Sequence, residues 1–230
     1  MDQIKAVRDP DNHRLRRWQA PPEHFEPTAD VCAQVADLVA VDPFAIAAEW
    51  SRRLEASVEM AYGAGFRTLA DLTLGSLAQA VARFGASVKL EPIYRKQLHS
   101  WRHPPLYDDS RPLLDAVKMP VCLNSDADQD DLTAVLRRHG VAVAAAVTSE
   151  EARAYKSRPE PFQLALARLG PGPGDVIHIG NSASSDVAGA AARGIDTAFF
   201  DRTGDGLPPG GTAIYTAATL TALLPQVLPW

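Results

Sequence analysis

The chain has 230 residues, a formal net charge of -5, 46 % hydrophobic and 22 % charged residues. That composition leaves room for one large domain, or one core with a smaller appendage, and excludes a chain disordered by composition. A mildly acidic balance gives no electrostatic footprint for nucleic acid or an anionic membrane, and the one basic cluster, Arg14, Arg16 and Arg17, is too short to change that.

A first strand is expected from Ile4, Ala6 and Val7, a poor one because Lys5 and Arg8 interrupt it, just ahead of Asp9 and Asp11. From about residue 28 to 101 the apolar spacing is helical, as in Val31, Val35 and Leu38 and then Ala47, Trp50, Leu54 and Val58, with Gly63, Gly65 and Gly85 as breaks. After Trp101 short apolar runs alternate with amphipathic stretches. Strands are expected at 121–123, 141–147, 176–179, 197–200 and 213–215. Helices are expected at 130–139, 161–169, 184–193 and 217–228. This is the βα alternation of a parallel sheet with helices on its faces, preceded by a helical segment.

Cys32 and Cys122 have no metal-site spacing and read as thiols in a reducing cytoplasm. The charged first residues lack the apolar stretch of a signal peptide, and the run at 141–147 is too short to span a bilayer. The expectation is a cytoplasmic protein with no targeting or membrane segment, a small-molecule substrate, and a monomeric or homodimeric state.

Ligands of an open parallel sheet bind beyond the carboxyl ends of the strands. Those ends carry Asp9 and Asp11; Asn124, Ser125 and Asp126; and Gly180, Asn181, Ser182 and Asp186, while Lys156 precedes the helix at 161. Two carboxylates one residue apart, a hydroxyl, a lysine and a further acidic loop suit phosphoryl chemistry. Each has a plainer reading. Asp9-Pro10-Asp11-Asn12 reads as a surface turn, Lys156 as a solvated lysine, Ser125, Asp126 or Asp128 as a helix cap, Asn181 as a turn residue, and Asp186 as favoured by a helix dipole. Trp50, Arg53, Arg95, His99, Trp101 and His103 read as core or rim residues before they read as substrate contacts. His178 reads as a buried, hydrogen-bonded core histidine and Cys122 as a small hydrophobe.

In this order the four segments resemble the four motifs of the haloacid dehalogenase (HAD) superfamily. Motif I is matched in part by Asp9-Pro10-Asp11-Asn12-His13 and motif II by Ser125 after its strand. Motif III is matched by Lys156 with Pro159, Pro161 and Phe162, and motif IV by the stretch from His178 to Ala190, with Asn181 in place of an aspartate. The resemblance implies an α/β fold: a Rossmann-like parallel-sheet core over residues 1–15 and 104–230, with a helical cap domain over 16–103 that sets substrate choice.

It further implies a magnesium-dependent small-molecule phosphatase. Asp9 would be the nucleophile, Asp11 the acid and then the base, and Lys156 the charge partner of the nucleophile and phosphoryl oxygens. Ser125 and Asp126 would bind substrate, and Asp9, Asp11, Asn181 and Asp186 would ligate Mg2+. Arg8, His13 and Asn181 depart from the family pattern, which keeps two alternatives open. One is a protein that kept the fold as a binding or regulatory partner. The other is a metal-independent 2-haloacid dehalogenase, against which Asp11 argues, because displacing halide from carbon needs no acid on the leaving atom.

Overall fold

The computed structural model describes residues 22–228. The expected first strand, with Asp9 and Asp11, lies outside the described residues, and so do Arg8 and His13.

Residues 22–102 fold as four helices: α1 (Pro22–Val39), α2 (Pro43–Met60), α3 (Leu69–Arg83) and α4 (Glu91–Arg102). Asp42 starts α2 by accepting the Phe44 amide, with Pro43 in the first turn, where its missing N–H costs nothing. Thr68 starts α3 by accepting the Asp71 amide at 3.2 Å. The three- and four-residue spacing legible in the sequence is the buried stripe. Val31 and Val35 of α1, Ile46 and Trp50 of α2, Leu77 and Val81 of α3, and Leu90 and Tyr94 enclose one core. Trp50 is buried at its centre, and its indole N–H donates to the Thr73 carbonyl and the Ser76 hydroxyl, so its one polar atom is satisfied. Cys32 lies in the same core, where burial pushes its thiol up to about 12.

After α5 (Ser110–Ala116) come the strands, all paired in parallel: β1 (Cys122–Ser125) with β2 (Ala145–Thr148), and β3 (Ile177–Gly180) with β4 (Asp196–Phe200), which in turn pairs with β5 (Tyr215–Ala217). The intervening helices are α6 (Gln129–His139), α7 (Ser149–Ala152), α8 (Glu160–Leu169) and α9 (Ala188–Ala191), and α10 (Leu220–Val227) closes the chain. The molecule is therefore α/β with a Rossmann-like arrangement, as the alternation implied.

Several expected elements differ: the last strand, expected at 213–215, is Tyr215–Ala217, and the helix expected at 217–228 starts at Leu220. The run at 141–147 is strand only from Ala145, because the chain joins β1 where Val121 accepts the Ala144 and Ala145 amides. The expected helix at 184–193 is a π-helical turn, Ala183–Val187, followed by the single turn of α9. Such wide turns recur at functional sites, and this one folds Asp186 back over β3. Among the described residues no single helix is long and apolar enough to cross a membrane.

Candidate active site

Two strand ends and one loop build the site. Ser125 ends β1, and its hydroxyl accepts the Ala127 amide at 3.1 Å, fixing the turn that follows. One residue earlier, both polar atoms of the Asn124 side chain are buried without a hydrogen-bond partner among the described residues, a desolvation cost of about 1–3 kcal/mol. Beyond β3, Ser182 caps the π-helical turn by accepting the Ser185 amide. Gly180 and Gly189 allow this turn to close. A β-carbon on Gly180 would lie 2.3 Å from the Asp186 side chain, and one on Gly189 would lie 2.5 Å from the Lys156 carbonyl and 2.8 Å from the Phe162 ring.

Lys156 ties the two-stranded sheet to the three-stranded one. Its amide donates to Asp126 Oδ1 at 2.9 Å, beside β1, and its ammonium contacts Asp186 Oδ1 at 2.5 Å, beside β3. His178 Nε2 reaches the same Asp186 oxygen at 3.2 Å, and the Ser182 amide donates to the other, Oδ2, at 2.9 Å. The Phe162 ring meets His178 edge-on, at 5.2 Å between centroids.

The two buried carboxylates respond oppositely to these surroundings. Burial is the largest influence on Asp126 and raises its carboxyl above the usual range, more than the Lys156 charge and amide bring it down. At Asp186 burial again pushes up most strongly, but the Lys156 charge and the His178 hydrogen bond together outweigh it. Its carboxyl is held well below the ordinary value.

Of the expected site residues, Ser125 and Asp126 follow β1, Asn181 and Asp186 follow β3, and Lys156, in the loop before α8, bonds to Asp126 and Asp186, with Asn181 in the turn whose next amide holds Asp186. Asp9 and Asp11 lie outside the described residues. Oxygen donors suit a hard cation such as magnesium. Asp186 retains a lone pair on Oδ2, and Asn181 adds a neutral amide oxygen. Among the described residues no group of three His, Cys, Asp or Glu side chains could hold a metal ion, and these two donors are poor in charge, since the Asp186 carboxylate is paired with Lys156.

Three further residues of the site have a structural setting that the sequence did not disclose. His178, expected as a buried, hydrogen-bonded core histidine, is half-buried, and its hydrogen bond goes to Asp186; two-residue alternation along β3 puts it on the Gly180 face, the available signal. Tyr155 is buried against Phe66, with rings 5.4 Å apart, and its hydroxyl donates to the Arg67 carbonyl at 2.9 Å. Asp128 sends its carboxylate away from α6, to the Leu69 amide at 2.7 Å and the Ala70 amide at 3.0 Å. The same approach to Lys156 includes Arg153, a non-glycine residue at φ +54°, whose carbonyl accepts the Gly63 amide at 2.8 Å.

A family model described as haloacid dehalogenase-like hydrolase matches residues 24–194. The chain belongs to that family. The matched span includes Ser125, Lys156, Asn181 and Asp186 and starts after Asp11. Solved structures of such hydrolases share the fold at low identity. An L-2-haloacid dehalogenase from Xanthobacter autotrophicus is 16 % identical with a TM-score of 0.68, covering 87 % of this chain and 92 % of its own. A defluorinating L-2-haloacid dehalogenase is 22 % identical, TM-score 0.70, with 90 % of each chain covered. A HAD phosphatase from Thermococcus onnurineus is 19 % identical, TM-score 0.57, with 88 % of each covered. No curated protein matches the sequence.

Proposed function

We propose that this HAD-like hydrolase cleaves small phosphoric monoesters through an aspartyl-phosphate. The observation that carries the reading is the placement of Lys156, whose backbone amide donates to Asp126 in the loop that follows Ser125 and whose ammonium pairs with the buried Asp186 carboxylate beyond β3. Asp9 is the nucleophile of the proposal: a carboxylate oxygen bonds to phosphorus as the ester oxygen leaves. Asp11 gives that oxygen a proton and then takes one from the water that attacks the phosphorus. Lys156 balances the charge of nucleophile and phosphoryl oxygens, the Ser125 hydroxyl donates to a phosphoryl oxygen, and Asp126 holds the Lys156 backbone. Asp9, the Asp11 carbonyl, Asn181 and Asp186 would hold magnesium, which would supply positive charge against the two approaching anions. The segment between motifs I and II, residues 16–103, whose described helices are α1 to α4, covers the site as a cap and selects the substrate.

The presence of Asp11 supports phosphoryl transfer over displacement of halide, which needs no acid on the leaving atom. The test offers p-nitrophenyl phosphate and 2-chloropropionate in parallel, each with and without magnesium. Phosphate release that increases with magnesium is expected. Chloride release without phosphate release, indifferent to magnesium, would replace the reading with a dehalogenase, and inertness toward both would leave a binding protein.

A further inference from the structure

Asp128 stands at the amino end of α6, the place of a helix-capping aspartate, yet makes no side-chain hydrogen bond to its own helix. Its carboxylate is spent 59 residues back in the chain, on the Leu69 and Ala70 amides that open α3. Those amides have no partner within their helix and carry the positive end of its dipole, so they offset part of the cost of burying the carboxylate, although burial still raises the Asp128 carboxyl above its ordinary value. The other side of the same segment is bonded too, because the Arg67 carbonyl accepts the Tyr155 hydroxyl. Tyr155 precedes Lys156, the Lys156 amide donates to Asp126, and Asp126 leads through Ala127, whose amide is held by Ser125, back to Asp128. The start of α3 therefore closes a ring with the loop that bears Ser125 and the loop that bears Lys156.

We infer that Asp128 is a positioning residue: through this ring it fixes the Ser125 hydroxyl and the Lys156 ammonium relative to each other, using the first turn of α3 as the brace. Its kinetic part rests on the phosphatase reading; its structural part does not. Asp131, three residues on, binds Arg102 at 2.7 Å and holds α4 to α6, away from the ring.

The experiment compares Asp128→Ala and Asp128→Asn with Thr68→Ala, which weakens the same helix start through its other cap without touching either site loop. Steady-state kinetics on p-nitrophenyl phosphate and amide hydrogen exchange are read together. Asp128→Ala should lower kcat about tenfold or more with little change in KM, since small misplacements of reacting groups are costly. Exchange should quicken at residues 153–157 as well as at 66–70. Asp128→Asn keeps one acceptor oxygen and should fall between wild type and Asp128→Ala, while Thr68→Ala should lose stability and keep kcat within about twofold. Unchanged kcat in the alanine variant, or faster exchange confined to 66–70, would overturn the inference. Should Asp128→Ala fail to fold, the same two readings on Asp128→Asn decide. A wild type that hydrolyses no ester would defeat the phosphatase reading alone, and exchange at 153–157 would still decide whether Asp128 orders the Lys156 loop.

Discussion

Lys156 and Asp186 are both largely withdrawn from water, with side chains 13 % and 4 % exposed, so neither charge is tolerable without the other. The carboxyl of Asp186 is depressed. Its ionised form therefore contributes stability above the unfolded carboxylate value, near about 4, and that stability is lost as pH falls through the lower folded value. Lys156→Met removes the larger of the opposing influences and leaves His178 alone against burial, so the Asp186 carboxyl rises from its depressed value. The variant should lose about 3 kcal/mol at pH 7, and the loss should shrink as pH is lowered toward about 4, where a protonated Asp186 needs no partner. Adding Asp186→Asn should restore most of the loss at pH 7. Urea unfolding at both pH values measures this, and a loss independent of pH would show that the pair is not coupled as described.

At the scale of elements, close packing around the π-helical turn sets the position of Lys156. Gly189→Ala would drive a methyl into the Lys156 carbonyl and the Phe162 ring. Overpacking of this kind costs about 1–3 kcal/mol. A fall in the thermal midpoint together with a fall in kcat is expected, and an unchanged midpoint would mean that α8 and the turn move apart freely. The amphipathic helices were legible because each carries its own apolar period: Ile46 and Trp50, or Leu77 and Val81, reappear as buried stripes. The short parallel strands were legible as apolar runs, but their first residues were not, since pairing to β1 and β4 decides where β2 and β5 begin. Nothing local in residues 183–187 distinguishes a π-helical turn from an α-helix; the distinction arises from Asp186 meeting Lys156, His178 and the Ser182 amide, contacts between distant parts of the chain.

For the whole molecule, the loops beyond β1 and before α8 are each bonded both to the other and to the helical segment of residues 63–70. Besides the ring through Asp128, the Arg153 guanidinium lies over Phe66 at 5.1 Å and that of Arg158 over Tyr62 at 3.7 Å, interactions that stabilise by about 0.5–2 kcal/mol each. The proximity of Asp126, Lys156 and Asp186 was expected from residue types after apolar runs, because ligands of a parallel sheet bind beyond the carboxyl ends of its strands. The site's support from α3 was not, because an aspartate that caps a helix 59 residues away looks in sequence like one that caps its own. The central claim is that this hydrolase uses Asp9 to take a phosphoryl group, and the most direct measurement is phosphate release from p-nitrophenyl phosphate, with magnesium, by wild type and by Asp9→Asn. Wild type should release phosphate, and the amide variant, which keeps the shape but cannot attack phosphorus, should fall to background while its unfolding midpoint stays within a few degrees. Equal release by the two proteins would contradict the account.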